Sequence, residues 1–165
     1  MKNTFLSIII PTKNRDMFLK ETLYNIYSGL TERVEVVIID GMSKDNTKSI
    51  VQDFFESHSD LKYIEMETAE GFDKELDIGV QSAKGKYCWV FSDDDIIYGN
   101  DINNVVKFLE NCQNLDVLLV NSSIWNKELN KIISNQFLDH EDMFGVGVDK
   151  LFSHFISLIY DSLFE

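Results

Sequence analysis

The sequence predicts an α/β domain with a mostly parallel central sheet flanked by helices, on three observations. Short β-branched runs alternate with amphipathic stretches over most of the chain, the rhythm of repeated βαβ units. The first two runs are apolar almost throughout, as strands covered on both faces are. A polar cluster follows the C-terminal end of three runs, where open parallel sheets place their ligands. With 165 residues, 44% of them apolar and 12% aromatic, the chain has enough side-chain volume for a hydrophobic core.

Ser7-Ile8-Ile9-Ile10 reads as the first buried strand. Asp16 is placed to cap a helix whose Leu19, Leu23, Ile26 and Tyr27 recur at helical spacing, and Gly29 suits its end. Val34 to Ile39 is the second strand. Asp45 or Asn46 caps a second helix with Ile50, Val51, Phe54 and Phe55 as its stripe. Leu61 to Glu65 is the third strand, and Glu70-Gly71 leads into a helix carrying Leu76, Val80 and Ala83, closed by Gly85. Tyr87 to Phe91 is the fourth strand, running directly into Asp93-Asp94-Asp95. Asn100 or Asp101 caps a helix with Ile102, Val105, Val106 and Leu109, and Val117 to Val120 is a fifth strand. Beyond Asn121 the rhythm weakens: Ile132-Ile133 reads as a short edge strand, Phe144 to Gly147 as a loop, and Leu151 to Leu163 as a last apolar helix. Its polar face carries Ser153, Ser157, Asp161 and Ser162 rather than Lys and Arg, so a protein cover is favoured over a membrane surface.

Fifteen basic against twenty-eight acidic residues leave a net charge of −13, which argues against nucleic acid as a partner. Cys88 and Cys112 form neither a disulfide framework nor a metal-ligand pattern and fit a reducing cytoplasm, where a thiol packs as a small apolar residue. The N-terminal apolar stretch is too short and too polar behind it for a secretory leader, and no run reaches the roughly 18 residues of a spanning helix. His58, His140 and His154 are scattered without ligand spacing. A phosphate-binding G-x-x-x-x-G-K motif, a dinucleotide G-x-G-x-x-G after a strand and a nucleophile elbow are all missing from the sequence.

The chemistry therefore concentrates in the three polar clusters. Three adjacent carboxylates at Asp93, Asp94 and Asp95 are costly to bring together without a cation, and hard oxygen ligands select Mg²⁺ or Mn²⁺. The alternative for the triplet is a solvated turn capping the next helix. Asp40 ends the second strand, where its carboxylate either accepts from a base N–H or a ribose hydroxyl, or closes a turn through Gly41. Lys13 and Arg15 either screen a diphosphate or pair with Asp16.

Taken in series, Ser7 to Arg15, Val37 to Thr47, Ala83-Lys84-Gly85-Lys86-Tyr87 and Ser92-Asp93-Asp94-Asp95 resemble the motifs of family 2 glycosyltransferases over roughly residues 5 to 120. The resemblance implies a GT-A fold, Rossmann-like, and transfer of a sugar from a nucleotide-diphosphate donor to an acceptor hydroxyl with inversion. It implies that Pro11, Thr12, Asn14 and Arg15 line the nucleotide, that Asp40 reads the base, and that Asp93 touches ribose within a DxD-type segment. Asp94 or Asp95 is then the ligand of Mn²⁺ or Mg²⁺, which stabilises the departing diphosphate. Gly71-Phe72-Asp73 matches a donor-facing polar segment, with Lys74 and Asp77 where relatives often carry Asp and Asn.

Inversion also needs a carboxylate base on the acceptor side. Glu141 and Asp142 are the acidic pair in range, and the base is expected beyond Glu165, the chain being read as a fragment. Residues 1–121 are read as the donor-binding core and 122–165 as the start of an acceptor-side region. The implied acceptor is a saccharide or lipid-linked saccharide in bacterial surface polysaccharide synthesis, at a cytoplasmic location or the inner face of the membrane. Any peripheral membrane association falls to a region outside these residues, and the oligomeric state stays open. Gly71-Phe72-Asp73 with Tyr87-Cys88-Trp89 and the Asp triplet is also similar to transferases of dideoxyhexoses such as abequose. Two alternatives stand beside the enzyme: a non-catalytic nucleotide-sugar binding module, and a receiver-like Mg²⁺-binding signalling domain, which would need an acidic pair after the first strand.

Overall fold

In the computed structural model, which describes residues 4–31, 33–112, 115–126 and 130–134, alternation along the first two strands assigns the layers. The strands β1 (Leu6–Thr12), β2 (Val34–Asp40), β3 (Leu61–Glu65) and β4 (Tyr87–Val90) form one parallel sheet in the order β3-β2-β1-β4. Every residue of β1 and β2 is buried, as their unbroken apolar runs predict. Leu6, Ile8 and Ile10 of β1 with Val34, Val36 and Ile38 of β2 face one side. There they meet Leu19, Leu23 and Ile26 of helix α1 (Asp16–Tyr27), Val51 and Phe54 of α2 (Thr47–Phe55), and Ile102 and Val106 of α4 (Gly99–Asn111). Ile9, Val37 and Ile39 face the other side and pack under Leu76 and Ile78 of α3 (Phe72–Ser82) and Ala83 just after it.

The order has a consequence for binding. The chain steps outward from β1 to β2 to β3, then returns to place β4 on the opposite flank of β1. The reversal lies between β1 and β4, and loops leaving their carboxyl ends diverge to open a crevice.

The structure corrects several element readings. Asp16 is the first residue of α1 rather than its cap; Arg15 holds the cap position without a side-chain cap bond. Likewise Tyr98 precedes α4, and Asn100 and Asp101 lie inside its first turn. Asn46 sits at the cap of α2, yet Asp45 does the capping chemistry, accepting from the Thr47 amide at 3.1 Å and its hydroxyl at 2.6 Å. Phe55 and Val80 are exposed, because the buried stripes run one position earlier, through Phe54 and Gly79. Cys88 is exposed on β4 and Cys112 is half-buried, so neither thiol is a core residue. His58 is half-buried, its ring 3.9 Å from that of Tyr27. Gly29 follows α1 in the left-handed region at φ 95°, as its place after the stripe predicts.

The chain divides into two compact units, Met1–Leu115 and Asp116–Glu165. Within the second, Val117 to Val120 is not a strand: it pairs with no described strand, and Val117, Leu119 and Val120 are exposed. Ile132–Ser134 does form a short strand, β6, antiparallel to β5 (Ile124–Trp125). Among the described residues no helix is long and apolar enough to cross a membrane. Glu141, Asp142, His140, His154, the Phe144 to Gly147 loop and the last apolar helix lie outside the described residues.

Candidate functional site

A cavity of about 560 Å³ opens at the carboxyl ends of β1 and β4, the position that the strand order dictates. Pro11, Thr12, Lys13 and Arg15 contribute the loop after β1, and Val90, Phe91, Ser92, Asp93 and Asp94 the end of β4 and the turn after it. Gly71, Phe72 and Glu75, from the start of α3, complete the lining.

The acidic turn is held from two directions. Thr22, buried on α1, donates its hydroxyl to the carbonyls of Asp93 at 2.9 Å and Asp95 at 3.2 Å, which fixes the backbone. Thr12 donates to Asp93 Oδ2 at 2.7 Å. Arg15 places its Nε 2.8 Å from Asp93 Oδ1 and donates a terminal nitrogen to Asp94 Oδ2, while Ser92 donates its hydroxyl to Asp94 Oδ1. Arg15 thus chooses the carboxylates of the triplet over Asp16, with its guanidinium 4.8 Å from the centre of the Phe18 ring.

These partners divide the three carboxyls. The Ser92 hydroxyl, with Arg15, holds Asp94 below the usual carboxylate range. Burial pushes Asp93 up, against the pull of Thr12 and Arg15. Burial also pushes Asp95 up, and the negative Asp94 and Asp93 add to it; its side chain has no hydrogen-bond or ion-pair partner among the described residues. No group of three or more ligating side chains converges among the described residues.

The loops after β1 and β2 brace each other rather than the cavity. Asn14, at φ 54°, accepts from the Lys44 amide at 2.7 Å and donates its own amide to Ser43 Oγ at 2.8 Å. Asp45 accepts from the Asp16 amide at 3.0 Å, and Asp16 accepts in return from the Asn46 side chain at 3.1 Å. Asp40 is buried, with Oδ1 taking the Ser43 amide at 2.7 Å and Oδ2 the Tyr63 hydroxyl. Of the residues singled out from the sequence, Pro11, Thr12, Lys13, Arg15, Gly71, Phe72, Asp93 and Asp94 line the cavity; Asn14, Asp40, Asp73 and Asp95 do not.

Glu75 lies in the cavity wall and was missed in the sequence. It is 8% exposed, its carboxylate has no hydrogen bond among the described residues, and burial pushes its carboxyl up, with Lys13 opposing and Asp40 adding. The available signal was the spacing Glu75, Gly79, Ala83: two small residues at i+4 and i+8 mark the face on which a helix lies closest to its sheet.

The comparisons with known proteins agree with this geometry. The model of the family described as "Glycosyl transferase family 2" matches residues 7–154. A GalNAc(5)-diNAcBac-PP-undecaprenol β-1,3-glucosyltransferase of Campylobacter jejuni is 26% identical over 103 residues, 62% of this chain and 33% of that protein. Among solved structures, a mannosyltransferase from Pyrobaculum calidifontis in complex with GDP-Man and Mn²⁺ is 29% identical at a TM-score of 0.57, covering 63% of this chain and 32% of its own. S. aureus TarS in complex with UDP-GlcNAc is 25% identical at a TM-score of 0.60, covering 65% and 31%. The chain spans less than half the length of the curated relatives it matches.

Proposed function

The chain belongs to glycosyl transferase family 2, and from that premise we propose that its first unit binds the nucleotide-diphosphate sugar of an inverting transfer to an acceptor hydroxyl. The fold is GT-A, as the resemblance implied. Family membership removes the receiver-like alternative. The observation that carries the proposal is the cavity at the β1–β4 switch point, where Arg15 pairs with Asp93 and Asp94 in the lining.

Each side chain then has a task. Thr12 and Arg15 hold Asp93 against the floor, where its backbone and carboxylate present fixed acceptors to ribose hydroxyls. Arg15 also faces the cavity, so its fork is placed to meet a diphosphate. Asp95, with Asp94, would hold Mn²⁺ or Mg²⁺; when bound, that ion neutralises charge that builds on the diphosphate as the glycosidic bond breaks. The hydroxyl that attacks must lose a proton to a general base, which we place downstream of the triplet in the chain. The likeness to an enzyme named for a PP-undecaprenol saccharide supports a saccharide or lipid-linked acceptor and a role in surface polysaccharide synthesis.

Calorimetry with nucleoside diphosphates, with and without Mn²⁺, tests the donor site. Chelator and Asp95→Asn are each expected to weaken binding at least about tenfold, the loss of one charge-assisted contact, with the melting temperature preserved. Equal affinity in chelator and in the variant removes the metal, and absence of binding by every nucleoside diphosphate removes the donor site. Turnover with a saccharide acceptor separates the enzyme from a binding module.

A further inference from the structure

We propose that Glu75 reads the nucleobase of the donor, and that the base it selects is guanine; this rests on the donor-site reading above. The sheet sets the direction in which a nucleotide must lie. Asp93 and Asp94 follow β4, whereas Glu75 packs over Gly41, directly after β2; a β-carbon built on Gly41 would stand 2.3 Å from Glu75 Oε1. Strand β1 lies between β2 and β4, and the Asp93 carboxylate is tied to Thr12 at the end of β1, so Glu75 lies on the β2 side of it along one cavity. With the diphosphate held at the Arg15 and Asp triplet end, the base falls at the Glu75 end.

The helix forces Glu75 into that position. Gly79 lies so close to the sheet that its missing β-carbon would come within 2.4 Å of Ile9 Cγ2, and α3 therefore presses its Glu75 face onto the strand ends. There Glu75 is 8% exposed as a residue, its carboxylate receives no hydrogen bond among the described residues, and it lines the cavity. Lys13, the cation that acts on it, forms no ion pair with it. A buried carboxylate left without donors is costly, and the open side from which donors can come is the cavity. The exposed ring of Phe72, one turn earlier and also lining the cavity, offers a face for a flat base.

The chemistry of the base edges then discriminates. A carboxylate only accepts, and it accepts best from two parallel N–H groups. Guanine presents its ring N1–H and its 2-amino group side by side. Uracil presents one N–H between two carbonyl oxygens, and cytosine and adenine set their amino group beside an unprotonated ring nitrogen. Only guanine meets Glu75 with two donors and no opposing lone pair.

Titration calorimetry of the whole chain in Mn²⁺ with GDP, UDP, CDP and ADP, and with inorganic diphosphate, tests this. GDP is expected to bind at least about tenfold more tightly than the other three, the value of a bidentate pair. Glu75→Gln is expected to bring GDP to the level of the others and to leave inorganic diphosphate unchanged, which also reports that the variant is folded; Gly41→Ala, which displaces the same carboxylate, is the second variant. Four equal affinities, a preference for another base, or a GDP preference that survives in Glu75→Gln overturns guanine reading and leaves the donor site standing. Failure of all four nucleotides overturns both.

Discussion

The hydroxyl of Thr12, the last residue of β1, donates to Oδ2 of Asp93 across 2.7 Å, and both groups are buried. This bond joins the two strand ends that the switch point separates. Because burial pushes the Asp93 carboxyl up, each donor it keeps matters to the fold. Thr12→Val removes the donor at nearly constant volume and is expected to cost about 1–3 kcal/mol, the range for an acceptor left unsatisfied. Thr12→Ser restores the hydroxyl and most of that loss. Urea unfolding of the three proteins measures it, and a Thr12→Val protein as stable as the parent would show that the bond is dispensable.

Arg15 is the second tie on the same turn, and its forked geometry separates it from lysine. Arg15→Gln leaves Asp93 buried beside Asp94 with no cation, and a cost of about 1–3 kcal/mol is expected, held down by the partial exposure of the arginine. Arg15→Lys retains a positive charge but only as a point donor, so nucleoside diphosphate affinity is expected to fall by about tenfold with little loss of stability. Parallel melting curves and calorimetry distinguish the two variants; an Arg15→Lys protein that binds like the parent contradicts the diphosphate role.

Asp40 and Tyr63 make a pair whose pH dependence has a definite sign. Burial, then the hydrogen bond to Asp40 and its charge, push the Tyr63 phenol above its ordinary value. A phenol whose folded pKa lies above its unfolded one contributes stability below a pH of about 10, and loses it as pH rises toward the folded value. Tyr63→Phe is therefore expected to be less stable than the parent at pH 7, by about 1 kcal/mol, with the gap closing above pH 10. Subtracting the variant's curve isolates Tyr63 from Tyr27, which burial also raises. A gap that widens at high pH contradicts the assignment.

The sheet was legible because its information is local. Ser7 to Ile10 and Val34 to Ile39 are apolar almost throughout, and a strand covered on both faces has few other ways to satisfy such a run. The position of the Asp triplet was equally readable, since the strand end itself points to the crevice. Pairing was less readable. Val117 to Val120 is as apolar as Val34 to Ile39, yet it pairs with no described strand. Asp40 shows the same limit within the site. Its place at a strand end was readable, whereas its partners were not: its oxygens accept from Ser43 and Tyr63, three and twenty-three residues away. Glu75 is the converse: nothing next to it in sequence marks it, and its burial follows from how closely Gly79 lets α3 approach Ile9.

Two glycines on either side of Glu75 separate packing from recognition. At Gly79 an added β-carbon meets Ile9 Cγ2 at 2.4 Å and Ile39 Cγ1 at 3.3 Å, both on buried side chains with no room to move. Overpacking of this kind costs about 1–3 kcal/mol, partly offset by the roughly 1 kcal/mol that alanine gains over glycine in a helix, so Gly79→Ala is expected to be less stable. At Gly41 the β-carbon meets Glu75 Oε1 at 2.3 Å and Cδ at 3.0 Å, the far end of a side chain that can swing into the cavity. Gly41→Ala is therefore expected to unfold within about 1 kcal/mol of the parent while its GDP to UDP affinity ratio collapses toward one. If instead Gly79→Ala leaves stability unchanged, α3 does not sit as tightly on β1 as the structure has it. If Gly41→Ala keeps the full affinity ratio, the carboxylate above it is not what reads the base.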